Sequence, residues 1–154
     1  MYGEILQATS QHSTEVSQLV AKLLVALVGH KREIDTDKLA AASSQLLSEA
    51  GGFSAFLYLV ECNPIGVITI SRSAAIYAGG YYGVIEEFYV EPEYRSQSIG
   101  KTLLKKAIQF SREQGWPRLE VSTPEKKKWQ RIIDFYYREG FSDNSNGERL
   151  KLIL

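Results

Sequence analysis

A strand, a helix and a second strand follow one another in the middle of the chain, and this succession limits the folds available. β-branched and aromatic residues predict a strand over residues 84–90, and periodic apolar residues predict a helix over 99–114 that Gly115 ends. A short strand is predicted over residues 119–122. Strands joined by a crossover helix run parallel, and a ligand can enter at their carboxyl ends where neighbouring parallel strands separate.

The remaining segments add antiparallel strands and further helices to this unit. Apolar periodicity predicts helices over 15–28, with Ser13 or Thr14 as N-cap, and over 35–49. Cys62-Asn63-Pro64 predicts a hairpin turn. The other predicted elements are strands 2–8, 53–61 and 65–71, helix 125–139 and a closing strand 149–154. The order β-α-α-β-β-β-α-β-α-β predicts an α/β fold with a central mixed sheet flanked by helices.

Size, charge and cysteine content exclude several classes of protein. The 154 residues predict a single domain, 1–154. The 18 basic and 18 acidic side chains balance, so we expect no nucleic-acid partner and no membrane partner. Cys62, the single cysteine, allows no internal disulfide and no metal cluster, and the apolar run 19–28 is too short to span a bilayer. We therefore expect a cytoplasmic protein without a metal; the sequence leaves open whether it forms a homodimer.

The most informative segment lies between the strand over 84–90 and the helix over 99–114. It reads Val90-Glu91-Pro92-Glu93-Tyr94-Arg95-Ser96-Gln97-Ser98-Ile99-Gly100-Lys101. The first turn of a helix has backbone N–H groups without intrahelical partners and the positive end of the helix dipole, so it can bind a pyrophosphate. Gly100 would allow close approach, and Arg95 and Lys101 supply positive charge.

This segment resembles the acyl-CoA pyrophosphate motif of the GNAT superfamily of N-acetyltransferases, Gln/Arg-x-x-Gly-x-Gly/Ala. Arg95 fills its first position, Gly100 its last, and Ser98 stands in place of the first glycine. A second segment, Phe135-Tyr136-Tyr137-Arg138-Glu139-Gly140-Phe141, resembles the family's Phe-Tyr-x-x-x-Gly-Phe segment. Trp129 occupies the place of an asparagine that touches the cofactor in many relatives.

The strand Ile85-Glu86-Glu87-Phe88-Tyr89-Val90 resembles that of polyamine-type and related small-amine acetyltransferases in this superfamily. Strand alternation sends Glu86 and Glu87 to opposite faces of the sheet. By resemblance, Glu86 is favoured to accept the proton of the amine, with Glu87 as the alternative. The resemblance likewise implies that Tyr136 protonates the departing thiolate, with Tyr137 as the rival.

The resemblance implies a GNAT-like acyl-CoA N-acyltransferase fold, splayed at the cofactor cleft, with acetyl-CoA as co-substrate and no metal. The implied function is transfer of an acetyl group to a primary amine of a small molecule by direct attack in a ternary complex. The alternatives are a protein N-terminal or lysine acetyltransferase and a non-catalytic acyl-CoA sensor, the latter because of Ser98 and Trp129. The implied cofactor-binding residues are Phe88, Tyr89, Val90, Arg95, Ser96, Gln97, Ser98, Ile99, Gly100, Lys101, Trp129 and Tyr136.

Overall fold

A computed structural model describes residues 3–29, 33–123, 126–143 and 150–153. Contacts between Cα atoms divide the chain into two compact units, Met1–Ser122 and Thr123–Leu154, and each is described by itself. That the chain forms a single domain stays a prediction. Within the described ranges, every helix is too short or too polar to cross a bilayer.

The first unit is built on a five-stranded sheet. Its strands are β1 (Gly3–Gln7), β2 (Phe53–Val60), β3 (Asn63–Ala75), β4 (Gly80–Val90) and β5 (Leu119–Val121). They lie in the order β1-β2-β3-β4-β5; the first three pairings are antiparallel and β4 pairs with β5 in parallel. The predicted mixed sheet and its parallel pair are confirmed. The β2–β3 turn lies at Glu61 and Cys62, both with positive φ, so β3 begins earlier than predicted and includes Pro64.

Helices cover both faces of this sheet. They are α1 (Ser13–Val28), α2 (Thr36–Ser48) and α3 (Ile99–Glu113). On one face, Leu19 of α1 packs in a core cluster with Leu57 of β2 and Val67 of β3. On the other face, Phe110 of α3 meets Phe56 edge to face, with ring centroids 5.4 Å apart. Because Phe56 and Leu57 are neighbours on one strand, the alternation of β2 supplies both cores.

The first two helices begin in different ways. The expected N-cap of α1, Ser13 or Thr14, is wrong, because His12 occupies that position at the end of the 3₁₀ turn Ser10–His12. Its Nδ1 accepts a hydrogen bond from the N–H of Thr9 at 2.9 Å, which closes the capping box of the 3₁₀ turn, whereas the His12 side chain makes no capping hydrogen bond to α1. Asp35 caps α2 by accepting from the N–H of Lys38 at 3.0 Å.

The second unit contains α4 (Lys126–Arg138). The predicted helix is confirmed as an element, but Trp129 has non-helical dihedrals (φ −127°, ψ 31°) and kinks it. Glu125, its predicted first residue, lies outside the described residues. The predicted closing strand is wrong in its described part, because residues 150–153 have no strand conformation; its first and last residues lie outside the described ranges.

Candidate active site

The sheet splits between β4 and β5. The two strands pair at Gly83↔Leu119, Val84↔Glu120 and Ile85↔Val121, and the pairing stops there. β4 continues five residues beyond Ile85, to Val90, paired with β3. The carboxyl half of β4 therefore has one strand neighbour among the described residues, and the other edge opens as the splayed cleft that the family resemblance predicted.

A bulge interrupts β4 at the start of this split. Ile68 of β3 pairs with Phe88, whereas Ile70 pairs with Ile85, so the single residue Thr69 lies opposite both Glu86 and Glu87. A bulge of this kind breaks the alternation of side chains along the strand that carries the extra residue. The expectation that Glu86 and Glu87 point to opposite faces is therefore wrong.

Both glutamates contact side chains on the same face of β3. The Thr69 hydroxyl donates to the Glu87 carboxylate and accepts from the Glu87 N–H at 3.0 Å. The Ser71 hydroxyl donates to Oε1 of Glu86 at 2.6 Å. Thr69 and Ser71 are alternate residues of β3 on the side of Val67, which packs against α1. The bulge thus gathers two carboxylates on the α1 face of the sheet.

The two carboxylates differ in environment. Glu86 is exposed, whereas Glu87 is half-buried. Burial raises the pKa of Glu87 and the charge of Glu86 raises it further, while the hydrogen bond from Thr69 opposes the rise. A carboxylate whose pKa is raised toward neutrality is better matched to accept a proton from an amine.

Farther along the chain, charges near the end of β4 compensate one another. Lys22 of α1 forms a salt bridge with Glu91, and the Tyr89 hydroxyl donates to the other Glu91 oxygen at 3.3 Å. Hydrogen bonding to Glu91 raises the pKa of Lys22, which keeps the ammonium charged. Glu91, counted among the acidic residues from sequence, is therefore neutralised by α1.

A pocket of about 400 Å³ lies beside this salt bridge, which the sequence patterns did not indicate. The apolar residues of α1 and the chain before α2 form its walls, with the Tyr89 ring at one side. Its lining residues are Ala21, Lys22, Val25, Ala26, Ile34, Thr36 and Tyr89.

The loop after β4 is held by Arg95. Its Nε–H donates to the Val90 carbonyl at 2.9 Å, and its guanidinium lies over the Tyr89 ring, 5.5 Å from the centroid. The loop includes the 3₁₀ turn Pro92–Tyr94. Ser96 (φ 66°) and Ser98 (φ 63°) then take left-handed backbone conformations, which glycine adopts more readily than serine. Ser98 thus takes a backbone conformation that glycine, the residue at this position of the family motif, adopts more readily.

This loop delivers the chain to the first turn of α3. Ser98 is the N-cap of α3, and its carbonyl accepts the first intrahelical hydrogen bond from the N–H of Thr102 at 3.0 Å. The N–H groups of Ile99 and Gly100 precede that bond at the positive end of the helix dipole. A Cβ added to Gly100 would lie 3.8 Å from the Phe88 ring, which is ordinary contact, so the fold itself does not require glycine here. This surface fits an anionic diphosphate, since it combines backbone donors with the nearby exposed cations Arg95 and Lys101.

In the second unit, the end of α4 fixes Tyr136. Gly140 has φ 99°, its N–H donates to Tyr137 O at 3.1 Å, and the N–H of Phe141 donates to Tyr136 O at 3.0 Å. These bonds form a Schellman motif, and the Phe141 ring packs on the Tyr136 ring at 5.4 Å, the hydrophobic contact that accompanies such caps. The Phe-Tyr-x-x-x-Gly-Phe resemblance therefore corresponds to one helix-ending structure.

The two candidate phenols have different surroundings. Tyr136 is buried, and burial raises its pKa, so the phenol keeps its proton at neutral pH. Tyr137 is exposed, and its hydroxyl donates to Asp143 at 2.5 Å. That hydrogen bond raises the pKa of Tyr137. Trp129, at the kink of α4, has the ammonium of Lys128 5.6 Å from its ring centroid. The roles of Tyr136 and Trp129 stay predictions.

Comparison with known proteins agrees with this geometry. The model of the acetyltransferase (GNAT) family matches residues 19–141. Aminoalkylphosphonate N-acetyltransferase of Salmonella typhimurium is 28% identical over 142 residues, which are 92% of this chain and 86% of that protein. Streptothricin acetyltransferase A of Bacillus subtilis is 36% identical over 75 residues, 49% of this chain; the chain spans only 40% of that relative's length.

Solved structures share the fold at low sequence identity. An aminoglycoside acetyltransferase from an uncultured soil metagenomic sample, in complex with sisomicin, has a TM-score of 0.77 at 20% identity, covering 99% of this chain and 97% of that one. A predicted acetyltransferase of Clostridium acetobutylicum, with acetyl-CoA, has a TM-score of 0.82 at 15% identity, covering 97% and 96%. The predicted GNAT-like fold is confirmed, whereas the small-amine branch suggested by residues 85–90 stays a prediction. The family match and the relatives together indicate N-acetyltransferase activity, and the chain belongs to the acetyltransferase (GNAT) family.

Proposed function

We propose that this protein is an acetyl-CoA-dependent N-acetyltransferase that acts in the cytoplasm on a primary amine of a small molecule. The observation that carries the proposal is the split beyond Ile85, where the bulge brings Glu86 and Glu87 to one face of β4. A strand edge without a second strand neighbour in the described part of the chain, together with two adjacent carboxylates, suits a reaction that needs an oxyanion donor and a proton acceptor.

Acetyl-CoA would be held beyond the carboxyl end of the same strand. Its diphosphate would lie against the N–H groups that begin α3, at residues 98–101, with Arg95 and Lys101 beside it. Arg95 also braces the loop through the Val90 carbonyl, so it both orders the loop and supplies charge. The backbone of residues 88–90 would bind the pantetheine arm and the thioester oxygen. The left-handed Ser98 supports this reading, because the motif conformation is reached without the motif glycine.

The co-substrate supplies an electrophilic thioester carbon, and the protein moves protons around it. The amine nitrogen attacks that carbon in a ternary complex; the new C–N bond forms and the C–S bond breaks. Before this attack the ammonium loses one proton to Glu86 or Glu87, directly or through water, because a protonated amine has no lone pair. The nitrogen loses its second proton to solvent as the C–S bond breaks. The raised pKa of Glu87 favours it as the proton acceptor over Glu86, the residue that the family resemblance favoured. The phenol of Tyr136 gives its proton to the departing sulfur.

A small cationic acceptor is supported by charge and by the relatives' names. Two carboxylates share one face, and their negative potential attracts an ammonium more than an anion. The Salmonella typhimurium relative is an aminoalkylphosphonate N-acetyltransferase and the Bacillus subtilis relative acetylates streptothricin, as their names state. Nothing in the described residues favours a protein acceptor over a small molecule.

Thiol release from acetyl-CoA tests the proposal. The purified chain is assayed against diamines, polyamines, aminoglycosides, aminoalkylphosphonates and peptides with free N-termini. Turnover with a small amine and none with peptides is expected. Turnover with peptides alone would instead identify a protein acetyltransferase, and coenzyme A binding without turnover would identify a sensor.

Matched variants then assign the roles. Tyr136→Phe should lower kcat by about 10²-fold or more, the usual contribution of a general acid, and leave the Kd of coenzyme A nearly unchanged. Tyr137→Phe is the control, since it removes a neighbouring exposed hydroxyl. Glu86→Gln and Glu87→Gln, compared over pH, show which carboxylate sets the acid limb of kcat/KM.

A further inference from the structure

We infer that Thr69 is a positioning residue that fixes the bulge of β4 and orients the carboxylate of Glu87 on the α1 face of the sheet. The inference rests on the proposed function, in which Glu86 or Glu87 accepts the proton of the amine. It concerns a residue on β3, outside the strand and the loop that the family motifs cover.

The position of Thr69 in the sheet singles it out. It is fully buried and stands at the one place where the β3–β4 register shifts, opposite two residues instead of one. A bulge leaves its extra residue without a regular ladder hydrogen bond. Here the hydroxyl oxygen of Thr69 accepts a hydrogen bond from the Glu87 N–H at 3.0 Å and takes the place of a main-chain carbonyl.

The same hydroxyl also acts on the Glu87 side chain. Its proton is donated to the Glu87 carboxylate, so one oxygen binds both the backbone and the side chain of one residue. A hydroxyl has one donor and two acceptor sites, and this arrangement uses the donor and one acceptor. Valine has the same shape without the hydroxyl and would leave both groups of Glu87 unsatisfied.

Ser71 provides the internal comparison. It lies two residues along β3 on the same face, and its hydroxyl donates to Glu86 at 2.6 Å. Ser71 pairs with Val84 in regular register, and no backbone N–H of the bulge depends on it. Removing the Ser71 hydroxyl should therefore affect Glu86 while leaving the bulge in place.

The charges around Glu87 determine in which direction the loss of the Thr69 hydrogen bond shifts the pKa of Glu87. Among the described residues, Glu86 on the same strand is the charge that acts on it. β3 faces it with the uncharged hydroxyls of Thr69 and Ser71, and on α1 the cation Lys22 is engaged by Glu91. Burial and Glu86 favour the protonated form of Glu87, and the Thr69 hydrogen bond favours the ionised form. Loss of that bond should raise the pKa of Glu87 and move the acid limb of kcat/KM to higher pH.

The test compares Thr69→Val, Thr69→Ser and Ser71→Ala. In the pH profile of kcat/KM, Thr69→Val should lower the values at acidic pH about tenfold more than the values on the high-pH plateau. This is the size expected for the loss of one hydrogen bond to a charged group. Thr69→Ser keeps the hydroxyl and should therefore have the same pH dependence of kcat/KM as the wild type. A Thr69→Val profile lowered equally at every pH would overturn the inference, because loss of structure alone would then account for it.

Two NMR measurements separate this inference from the proposed function, since neither needs turnover. The Glu87 amide should exchange slowly in the wild type and in Ser71→Ala, and faster in Thr69→Val. Side-chain carbon shifts should show Glu87 titrating at higher pH in Thr69→Val than in the wild type. An unprotected Glu87 amide in the wild-type protein would refute the role of Thr69 even if Thr69→Val does not fold. Absence of thiol release with intact protection would refute only the proposed function.

Discussion

Replacing Ser98 by glycine should stabilise the fold, although it removes a side chain. Ser98 has φ 63° and ψ 13°, a left-handed conformation that costs an L-residue about 1–2 kcal/mol relative to a right-handed one. Glycine avoids that cost but loses about 0.5–1 kcal/mol through the greater freedom of its unfolded chain. The Ser98 hydroxyl makes no capping hydrogen bond to the described residues, so little is lost with it. At the midpoints of these two ranges, the net gain in the free energy of unfolding is about 0.75 kcal/mol.

The Tm of each variant, measured by calorimetry, tests this prediction. A gain of that size should raise Tm by about 1–4 °C in a protein of this length. Ser96→Gly is a parallel test of the same reasoning, since Ser96 has φ 66° in the same loop, and it should give a similar rise in Tm. Ser98→Val should lower Tm, because a β-branched residue tolerates positive φ least. If Ser98→Gly left Tm unchanged or lowered it, the left-handed conformation of Ser98 would not be strained and the reasoning would be wrong.

Further changes test other parts of the structure. Gly83→Ala should lower the free energy of unfolding by about 1–3 kcal/mol, because its Cβ would lie 2.8 Å from the Trp116 ring. Gly100→Ala should leave it unchanged, because the nearest contact of its Cβ would be at 3.8 Å. The Tm values of the two variants check this difference. Gly140→Ala should lower the free energy of unfolding by about 1 kcal/mol, because it places a Cβ at φ 99°. The midpoint of urea unfolding should therefore fall. An unchanged midpoint would argue against the Schellman cap. Burial raises the pKa of Glu87 above 4.5, so the folded chain binds this proton more tightly than the unfolded chain and stability falls as pH rises between the two pKa values. The Tm of Glu87→Gln relative to wild type should therefore be higher at pH 7 than at pH 4; the opposite order would contradict a raised pKa.

Local patterns were enough to predict most of the fold. The apolar spacing of α1 and α3 follows the helical period, and their structural bounds differ from the predicted ones by one or two residues. The parallel pair followed from a strand–helix–strand succession, which the chain can close in few ways. The kink at Trp129 could not be predicted, since no proline or glycine marks it.

The site was predictable where its signal lies within one segment. The loop from Arg95 to Gly100 was identified from its own sequence, in which Ser98 stands in place of the first glycine of the family motif. The bulge at Glu86 and Glu87 escaped prediction because a register shift belongs to two strands, and the alternation rule assumes one residue opposite one. Thr69 escaped for the same reason, since its partners are 18 residues away along the chain.

The Schellman cap at the end of α4 makes the spacing between Tyr136 and Gly140 a fixed interval. An inserted or deleted residue there would turn Tyr136 by about 100° around the helix axis relative to the cap. Substitutions at the intervening positions leave that angle unchanged. Evolution or engineering can therefore vary the identity of these residues far more freely than their number.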